Sequence, residues 1–431
     1  MNAKPATPVA TPAAAAPARE PLKELDQALA ELLALAEALP NVESVRTFDG
    51  DGRVLAQDLT ATNNVPAHDN SAMDGYALRS ADWQSADTVL PVSQRVPAGV
   101  KPSGLQPLAA ASVARIFTGA PIPPGADAVV MQEHCQTQAS ADGTVAGIRI
   151  ESQPKPGAWI RRRGEDVTAG AVVLHRGVRL GPAALGLAAS IGFDKLSVAR
   201  RVRVALFSTG DELVMPGDVA PADMLPGAIY NSNRFFLRTL LQRLGCDVTD
   251  MGIVPDRFDA TKNALSEASV AHDLILTSGG VSVGEEDHVK PAVQALGELR
   301  LWKIAIKPGK PFACGQIGNA HFIGLPGNPV SSFVTFLLLV RPFILKLQGA
   351  ADVAIHPIAL RADFDWPRAD SRREFLRVRQ NPRGGLDLFP NQSSGVLTST
   401  VWGSGLVDNP PGRAIAVGDS VAFLPFASLL L

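Results

Sequence analysis

The chain has 431 residues, of which 46% are hydrophobic and 19% are charged, and its formal net charge is −2. This length suffices for about two to four domains with sizeable cores, and the small net charge excludes bulk attraction to nucleic acid or to an anionic membrane. The three cysteines lie far apart and form neither a CxxC pair nor a Cys/His metal spacing, which favours a reducing, cytoplasmic compartment.

The first 21 residues are rich in Ala and Pro and contain no charged start followed by an apolar stretch. This composition is typical of a disordered tail (residues 1–21) rather than a signal peptide. Apolar residues then recur at intervals of three and four over residues 22–39 and predict an amphipathic helix. We assign residues 22–41 to this helix and expect it to pack on an α/β domain.

Between residues 45 and 191 the sequence consists of short segments of alternating apolar residues, separated by Gly and Pro, which predicts small β-rich domains. We assign residues 42–60 and 171–201 to a linking domain and residues 61–170 to a β-rich lid domain. Strands are expected at residues 89–96, 113–117, 128–131 and 145–150, and a helix at 182–192.

Residues 202–350 alternate between strands and helices, which predicts a doubly wound, mostly parallel sheet covered on both faces. We expect Asn233 to cap the first helix and Pro342 to kink or break the last one. The longest apolar run, residues 333–345, is too short and interrupted to span a bilayer, which needs about 20 apolar residues. Strands are expected at residues 202–207, 248–254, 274–277, 301–306 and 320–325, and helices at 234–244, after 256, at 289–296 and at 330–347.

The C-terminal residues 351–431 are predicted to be all β and to form a small β-barrel. The expected strands are residues 358–364, 374–379, 386–389, 413–417 and 420–424. The predicted fold class is therefore α/β plus β.

Ligands of parallel α/β sheets bind outside the carboxyl ends of the strands, so the loops that follow the predicted strands form the candidate site. Residues 208–212, 278–287, 307–311 and 326–331 supply hydroxyls, glycines, lysines and carboxylates. Amides and lysines suit phosphate or another oxyanion, and clustered carboxylates suit Mg²⁺. The simpler interpretation, that Gly and Pro build tight turns and the acids face solvent, is weakened because four loops share one sheet edge.

The β-rich region carries weaker signals. Asp74-Gly75 is a common hairpin turn, and the arginines of residues 161–163 suit either a phosphate clamp or a solvated strand edge. The histidines lack the spacing of metal ligands. From residue chemistry alone, the sequence predicts an anion and Mg²⁺ site on a doubly wound sheet.

Seven motifs in a fixed order add a family resemblance. They are DNSAMDGYA (69–77), TGAP (118–121), RRRGED (161–166), STGDEL (208–213), SGGVSVGE (278–285), IKPGKP (306–311) and GLPGNPVS (324–331). With these motifs the chain resembles the MoeA-type molybdopterin molybdenumtransferases, which are similar to the E domain of gephyrin. The resemblance covers nearly everything after Pro21, and it implies a cytoplasmic homodimer whose α/β domain is similar to the pterin adenylyltransferases.

The resemblance also implies a reaction. Its substrates are adenylylated molybdopterin and molybdate, which bind with Mg²⁺; the phosphoanhydride is hydrolysed, AMP leaves, and the metal passes to the dithiolene sulfurs of the pterin. The implied partners are a molybdopterin adenylyltransferase and molybdoenzyme maturation proteins, with no nucleic acid and no membrane.

Site residues are carried over motif by motif. The implied catalytic residues are Asp74, Asp166, Glu212, Asp287 and Lys307, and Glu212 and Asp287 would bind Mg²⁺ or orient the attacking water. Lys307, Lys310 and Ser331 would hold molybdate, because a tetrahedral oxyanion needs cations and donors. Asp74, Thr118 and Asp166 would form a second wall of the cleft, which in such dimers can come from the other subunit. The implied substrate-binding residues are Thr118, Ser208, Thr209, Gly210, Ser278, Gly279, Gly280, Lys303, Lys307, Lys310, Pro326, Pro329, Ser331, Arg372, Arg377 and Ser394.

Two alternatives stay open at this point. A molybdopterin adenylyltransferase would be expected to consist of little more than the α/β domain, so the additional lid and barrel favour metal insertion. A non-catalytic pterin carrier or scaffold remains compatible with the same architecture, although intact acids at Glu212 and Asp287 favour catalysis.

Overall fold

The computed structural model describes residues 22–139, 145–281 and 288–430. The predicted tail of residues 1–21 and the predicted metal ligand Asp287 lie outside these ranges. The chain divides into two compact units, one formed by Asn41–Ala199 and the other by the described parts of residues 1–40 and 200–431.

The first helix, α1 (Leu25–Ala34), is shorter at both ends than the periodicity predicts. Its start is displaced because the Lys23 amide donates to the Lys303 carbonyl, so the preceding residues are extended. The face that carries Leu25, Ala28 and Leu32 is buried, as expected for an amphipathic helix.

The Asn41–Ala199 unit is β-rich, as predicted. Its strands are β1 (Val42–Arg46), β2 (Leu59–Thr60), β3 (Asn70–Ser71), β4 (Gly75–Leu78), β5 (Val89–Val96), β6 (Val113–Ile116), β7 (Ala128–Met131), β8 (Cys135–Ala139), β9 (Val145–Ile150), β10 (Ile160–Arg161), β11 (Val172–Leu174) and β12 (Lys195–Ala199). A six-stranded sheet has the order β7-β4-β6-β5-β9-β8, and the pairs β1/β12, β2/β11 and β3/β10 lie outside it. Helix α2 (Pro182–Ser190) matches the predicted helix.

The second unit contains a six-stranded mixed sheet. Its sheet strands and neighbouring short strands are β13 (Arg203–Thr209), β14 (Leu213–Val214), β15 (Ile229–Tyr230), β16 (Asp247–Val254), β17 (Leu274–Ser278), β18 (Gly297–Lys303), β19 (Ile306–Lys307), β20 (Pro311–Ile317) and β21 (Ala320–Leu325). The order is β16-β13-β17-β21-β20-β18. The first four strands are parallel, β20 is antiparallel to β21, and β18 is antiparallel to β20 and so runs in the direction of the first four. The sequence prediction missed β20 and placed one strand at 301–306, where the structure has β18 and the separate β19.

Helices cover both faces of this sheet, so it is doubly wound as predicted. They are α3 (Ser232–Arg243), α4 (Phe258–Ala271), α5 (Val289–Leu296), α6 (Pro329–Thr335) and α7 (Arg341–Leu347). Alternate residues of β13 point to opposite faces: Leu206 packs in the core with α1, α3, α6 and α7, and Phe207 packs in the core with α4 and α5.

Pro342 does not break the last helix. A π-helical segment, Phe336–Val340, joins α6 to α7 immediately before the proline. The wider turn accommodates a residue that lacks a backbone N–H, so the helix is continuous over Pro329–Leu347. Among the described residues this helix has the length and apolar composition of a membrane span, but 89% of its most apolar window is buried, as expected for a core helix.

The C-terminal region forms a closed five-stranded barrel. Its strands are β22 (Ile358–Ala362), β23 (Arg373–Gln380), β24 (Gly385–Leu388), β25 (Gly405–Asn409) and β26 (Ser420–Pro425), with α8 (Thr398–Trp402) and α9 (Phe426–Leu430) between and after them. The order β23-β24-β22-β26-β25 closes through the pairing of β25 with β23, and β19 pairs with β23 from outside. The fifth strand is β25 rather than the predicted residues 413–417, which contribute only the bridge between Ile415 and Trp366. The predicted fold class is confirmed.

Candidate active site

Three of the candidate loops begin at neighbouring strand ends that are in register. Ser208 at the end of β13 is in register with Ser278 at the end of β17, and Ser278 is in register with Leu325 at the end of β21. Because these strands are parallel neighbours, the loops that begin at Ser208, Ser278 and Pro326 lie side by side at the carboxyl edge. The structure thus brings three of the predicted loops together.

These loops surround a cavity of about 560 Å³. Five residues predicted from the sequence as site residues line this cavity: Thr209, Glu212, Ser278, Gly279 and Pro329. The barrel contributes Gly395, which is next to Ser394. The Ser394 carbonyl accepts a hydrogen bond of 2.9 Å from the Val330 amide, which joins this barrel loop to the start of α6.

Two glycines are required for the loop that follows β17. Gly279 and Gly280 have φ angles of 93° and 67°, which side chains rarely adopt. A Cβ on Gly279 would lie 2.8 Å from the Thr209 carbonyl oxygen, and one on Gly280 would lie 2.3 Å from Val289 Cγ2. The SGG sequence therefore lets the β13 and β17 loops approach each other closely at the cavity.

Several polar side chains at this edge are buried without a hydrogen-bond partner among the described residues. They are the hydroxyls of Ser208, Thr209 and Thr277 and the amide nitrogen of Asn231. Buried polar groups in native proteins are rarely left unpaired. Their concentration at the end of β13 and β17 indicates a polar ligand.

Asn233 is a site residue that the sequence prediction missed. It was expected to cap α3, but the cap is Asn231, whose side chain accepts a hydrogen bond from the Arg234 amide. Asn233 lies inside the helix, and its Nδ2 donates to Ser278 Oγ and to the Gly327 carbonyl, both at 2.7 Å. The only sequence signal was its position after a strand-like segment in an Asn-Ser-Asn run.

Two helix N-termini and one carboxylate give the cavity its electrostatic character. Ser232 and Asn233 begin α3, Asn328 and Pro329 begin α6, and all four line the cavity. Helix N-termini attract anions through their free N–H groups and the helix dipole. Glu212 lines the same cavity with an exposed side chain.

Of the two predicted Mg²⁺ ligands, Glu212 lies within the described residues and Asp287 lies outside them. No group of three or more His, Cys, Asp or Glu side chains that could hold a metal ion exists within residues 22–139, 145–281 and 288–430. Mg²⁺ is held by one or two carboxylates together with substrate phosphates and water. Glu212, beside an anion-attracting cavity, fits this type of donor set.

Lys307 and Arg372 form a second cationic group in the same unit. Lys307 Nζ lies 3.1 Å from a carboxylate oxygen of Asp370 and 3.1 Å from one of Glu374. Partial burial alone would lower the pKa of Lys307, but the hydrogen bonds to Glu374 and Asp370 outweigh it and raise the pKa. Arg372 pairs with Asp370 at 3.0 Å. Lys307 is therefore positively charged at neutral pH.

The remaining predicted ligands have varied surroundings. Lys303 and Lys310 are exposed, whereas Pro326 and Ser331 are buried at or near the start of α6. Gly309, between the two lysines of IKPGKP, packs against Thr335 of the same helix, where an added Cβ would lie 2.6 Å from the hydroxyl. The lysine loop and the cavity thus share α6 as their support.

Arg377 has a position that argues against the predicted anion contact. Its side chain is 1% exposed, and it donates to the Phe375 carbonyl, the Ser393 carbonyl and Ser399 Oγ. Burial lowers the pKa of Arg377 to about 10. The guanidinium therefore stabilises the loop that carries Ser394 rather than facing a ligand.

In the Asn41–Ala199 unit, two predicted residues are in direct contact. Asp74 Oδ1 accepts hydrogen bonds from the Thr118 amide at 2.7 Å and from Thr118 Oγ1 at 2.8 Å, which lowers the pKa of Asp74. Asp166 is exposed, in the turn after Arg162. Arg162 itself pairs with Asp69 at 2.7 Å.

The chain thus combines a doubly wound sheet, whose carboxyl edge carries a cavity beside two helix N-termini, with a closed barrel whose Asp370 and Glu374 contact Lys307 of β19. This combination defines a multidomain α/β protein with groups suited to anionic ligands. Residues 23–192 match the MoeA N-terminal region (domain I and II), residues 205–346 the probable molybdopterin binding domain, and residues 359–426 the MoeA C-terminal region (domain IV).

Known relatives agree over nearly the whole chain. The molybdopterin molybdenumtransferase of Haemophilus influenzae is 40% identical over 415 residues, covering 94% of this chain and 99% of that protein. Molybdopterin molybdenumtransferase 2 of Mycobacterium tuberculosis is 36% identical over 401 residues, covering 90% and 94%. The crystal structure of the molybdopterin biosynthesis MoeA protein of Pyrococcus horikoshii matches with a TM-score of 0.80 at 26% identity, covering 94% and 100%.

The chain therefore belongs to the MoeA family of molybdopterin molybdenumtransferases. This membership confirms the resemblance drawn from the seven motifs. It places the chain among the transferase enzymes of molybdenum cofactor biosynthesis.

Proposed function

We propose that the protein inserts molybdate into adenylylated molybdopterin, with Mg²⁺-dependent hydrolysis of the phosphoanhydride and release of AMP. The observation that supports this most directly is the cavity at the carboxyl edge of the sheet, where two helix N-termini lie beside Thr209, whose hydroxyl has no hydrogen-bond partner among the described residues. These groups suit a phosphorylated ligand, because phosphate oxygens accept hydrogen bonds from N–H and O–H donors.

In this proposal the loops after β13 and β17 hold the substrate. Thr209, Ser278 and the amide of Gly280 bind the phosphate groups, and Asn233 holds Ser278 in position. The Gly279 amide instead donates to the Leu325 carbonyl, which fixes the loop to β21. Glu212 holds Mg²⁺ or orients the attacking water, as the family resemblance implies. Mg²⁺, when bound, would neutralise charge on the phosphoryl oxygens.

Molybdate binds at the cationic group formed by Lys307 and Arg372. Lys310, Ser331 and Ser394 complete the proposed set of oxyanion ligands. A guanidinium and an ammonium provide charge-assisted hydrogen bonds, which are the strong type for an oxyanion. The raised pKa of Lys307 keeps its charge throughout the neutral range.

We further propose that Asp74, Thr118 and Asp166 serve the same reaction. The enzyme acts as a cytoplasmic homodimer, and an adenylyltransferase delivers its pterin substrate. The buried helix Pro329–Leu347 is consistent with a soluble protein. The boundaries predicted for the linking, lid, α/β and barrel domains are part of the same proposal.

The deciding experiment measures AMP release from adenylylated molybdopterin by the purified protein, with Mg²⁺ and with or without molybdate. We expect release that depends on molybdate and leaves metal on the pterin. Tight pterin binding without any release would support a carrier or scaffold instead.

Glu212→Gln provides the matched variant, because it removes the charge and keeps the size of the side chain. We expect AMP release to fall by about 100-fold or more, since an essential metal or water ligand typically contributes at least this much. Glu267→Gln, on the exposed face of α4, is the control and should retain wild-type activity. Full turnover by Glu212→Gln would remove Glu212 from the proposed mechanism.

A further inference from the structure

Asp370, a carboxylate to which the family resemblance gives no role, contacts both Lys307 and Arg372, two of the proposed oxyanion ligands. Its Oδ1 accepts from the backbone amide and from Nε of Arg372, both at 3.0 Å, and its Oδ2 accepts from Arg372 Nη2 at 3.1 Å. The same Oδ2 lies 3.1 Å from Lys307 Nζ. The Asp370 carboxylate therefore accepts two hydrogen bonds from the Arg372 guanidinium and also contacts the Lys307 ammonium. A guanidinium and an ammonium together are donors that suit a small oxyanion.

The second carboxylate on Lys307 is held in a different way. Glu374 is 1% exposed, belongs to β23, and accepts a hydrogen bond of 2.7 Å from Trp366 Nε1 in addition to its contact with Lys307. Asp370 follows an exposed loop, residues 367–369, and is 19% exposed. Glu374 is thus a fixed part of the barrel, whereas Asp370 lies where it can move away without opening a core.

The formal charges of this cluster cancel. Lys307 and Arg372 contribute two positive charges, and Asp370 and Glu374 contribute two negative charges. A dianion that approaches both cations meets the Asp370 carboxylate in the position its own oxygens would take. If Asp370 moves aside, the cluster gains one net positive charge and both cations become available to the incoming anion.

We propose that Asp370 occupies the oxyanion position in the ligand-free protein and is displaced when the substrate oxyanion binds. The Asp370 carboxylate then competes with the substrate oxyanion for Lys307 and Arg372 and lowers the affinity of the site. The oxyanion displaces it because a dianion is attracted to the two cations more strongly than the monoanionic carboxylate is. This inference rests on the proposed function, because it takes Lys307 and Arg372 as ligands of the oxyanion.

The first test is calorimetric titration of the full-length protein with sodium molybdate. We expect Asp370→Asn to bind molybdate roughly 3- to 10-fold more tightly than wild type, the range expected when a partly exposed charge pair is released. Asp370→Ser should change affinity in the same direction. Asp365→Asn is the matched control, since this carboxylate precedes the same loop but accepts from the Val417 amide, and it should leave the affinity within about twofold.

The second test is a crystal structure of the wild-type protein with molybdate. We expect the anion between Lys307 and Arg372, with Asp370 no longer in contact with Lys307 Nζ. Weaker or unchanged binding by a folded Asp370→Asn protein, shown by an unchanged thermal midpoint, would overturn the inference, and so would a molybdate complex in which Asp370 keeps both contacts. If wild-type protein and both Asp370 variants bind no molybdate, the oxyanion assignment in the proposed function fails, and the inference fails with it.

Discussion

Asn233 Nδ2 donates a hydrogen bond of 2.7 Å to Ser278 Oγ, and this contact connects the first turn of α3 to the end of strand β17. Its Nδ2 also donates to the Gly327 carbonyl, before α6. One amide nitrogen thus holds two of the loops that line the cavity. The stability of the cavity and its ability to bind a ligand are therefore coupled at Asn233.

Replacing Asn233 tests this coupling. We expect Asn233→Ala to lower the free energy of unfolding by about 1–3 kcal/mol, because it leaves buried acceptors unpaired. AMP release should fall more than this stability loss explains, since both loops lose their fixed position. Asn263→Ala, on the exposed side of α4, is the control for both the thermal midpoint and turnover. A variant with reduced stability and wild-type KM would show that Asn233 has only a structural role.

We expect Thr209→Val to weaken pterin nucleotide binding without lowering the free energy of unfolding. The Thr209 hydroxyl is buried and has no hydrogen-bond partner within the described parts of the chain, so an isosteric methyl group should leave the free energy of unfolding unchanged within about 1 kcal/mol, or raise it. Pterin nucleotide binding should weaken by roughly tenfold, the equivalent of one lost hydrogen bond.

Thr335→Val gives the contrasting case, because the Thr335 hydroxyl already donates to the Ser331 carbonyl at 2.7 Å. This variant should be destabilised by about 1 kcal/mol. Equal stability losses at both threonines would indicate that the Thr209 hydroxyl is paired within the protein. Thermal unfolding together with calorimetric titration distinguishes these outcomes.

Lys307→Ala should affect the oxyanion and the pterin unequally. We expect the KM for molybdate to rise by about 10- to 100-fold, as for loss of a charge-assisted hydrogen bond, whereas pterin binding should change by less than about threefold. Lys346→Ala, on the exposed side of α7, should leave both values unchanged. The measurement is steady-state AMP release at varied molybdate and varied pterin concentrations. A similar loss for both substrates would contradict a specific role of Lys307 in molybdate binding.

We expect the Asp273 carboxylate to contribute to the free energy of unfolding in a way that depends on acid pH. Burial alone would raise its pKa, but hydrogen bonds from Arg200 and Arg203 outweigh burial and lower the pKa to about 2. Because this folded value lies below the unfolded value of about 3.9, the contribution is present above about pH 4 and is lost as pH falls towards 2. It corresponds to about 2–3 kcal/mol.

Asp273→Asn should therefore lower the thermal midpoint at pH 7, and the difference from wild type should shrink between pH 4 and pH 2. Asp87→Asn is the control, because this carboxylate lies on the exposed surface of the other unit. A difference that stays constant over this pH range would mean that Asp273 stabilises the fold without its charge.

Local patterns in the sequence predicted most of the parallel sheet correctly. Continuous apolar segments predicted β13, β17 and β21, and the helices predicted at 234–244 and 289–296 lie close to α3 and α5. The helix expected after residue 256, for which no end was predicted, corresponds to α4. Strand β20 was missed because Gly315 lies in its centre, and glycine is typical of loops. Here the glycine is required by a close backbone contact, since a Cβ would lie 2.1 Å from the Glu298 carbonyl oxygen.

The site was predictable only where its residues follow strands directly. Thr209, Glu212 and Ser278 were predicted because loops at the carboxyl ends of parallel strands meet at one edge, and all three line the candidate cavity. The pairing of Lys307 with Asp370 and Glu374 joins residues more than sixty positions apart, and no local pattern signals it. Asn233 was misassigned for a related reason: its partners, Ser278 and Gly327, are distant in sequence.

The strand pairing of β19 with β23 has a consequence for any attempt to recombine this protein. Phe375, Leu406 and Leu424 of the barrel pack in the same core as α1 and the last helix of the sheet domain. A chimera that exchanges the barrel at residue 350 would therefore have to match both a hydrogen-bonded edge and a shared apolar surface. For the same reason, a substitution on one side of this interface has to remain compatible with the residues on the other side. We therefore expect the sheet domain and the barrel to evolve together.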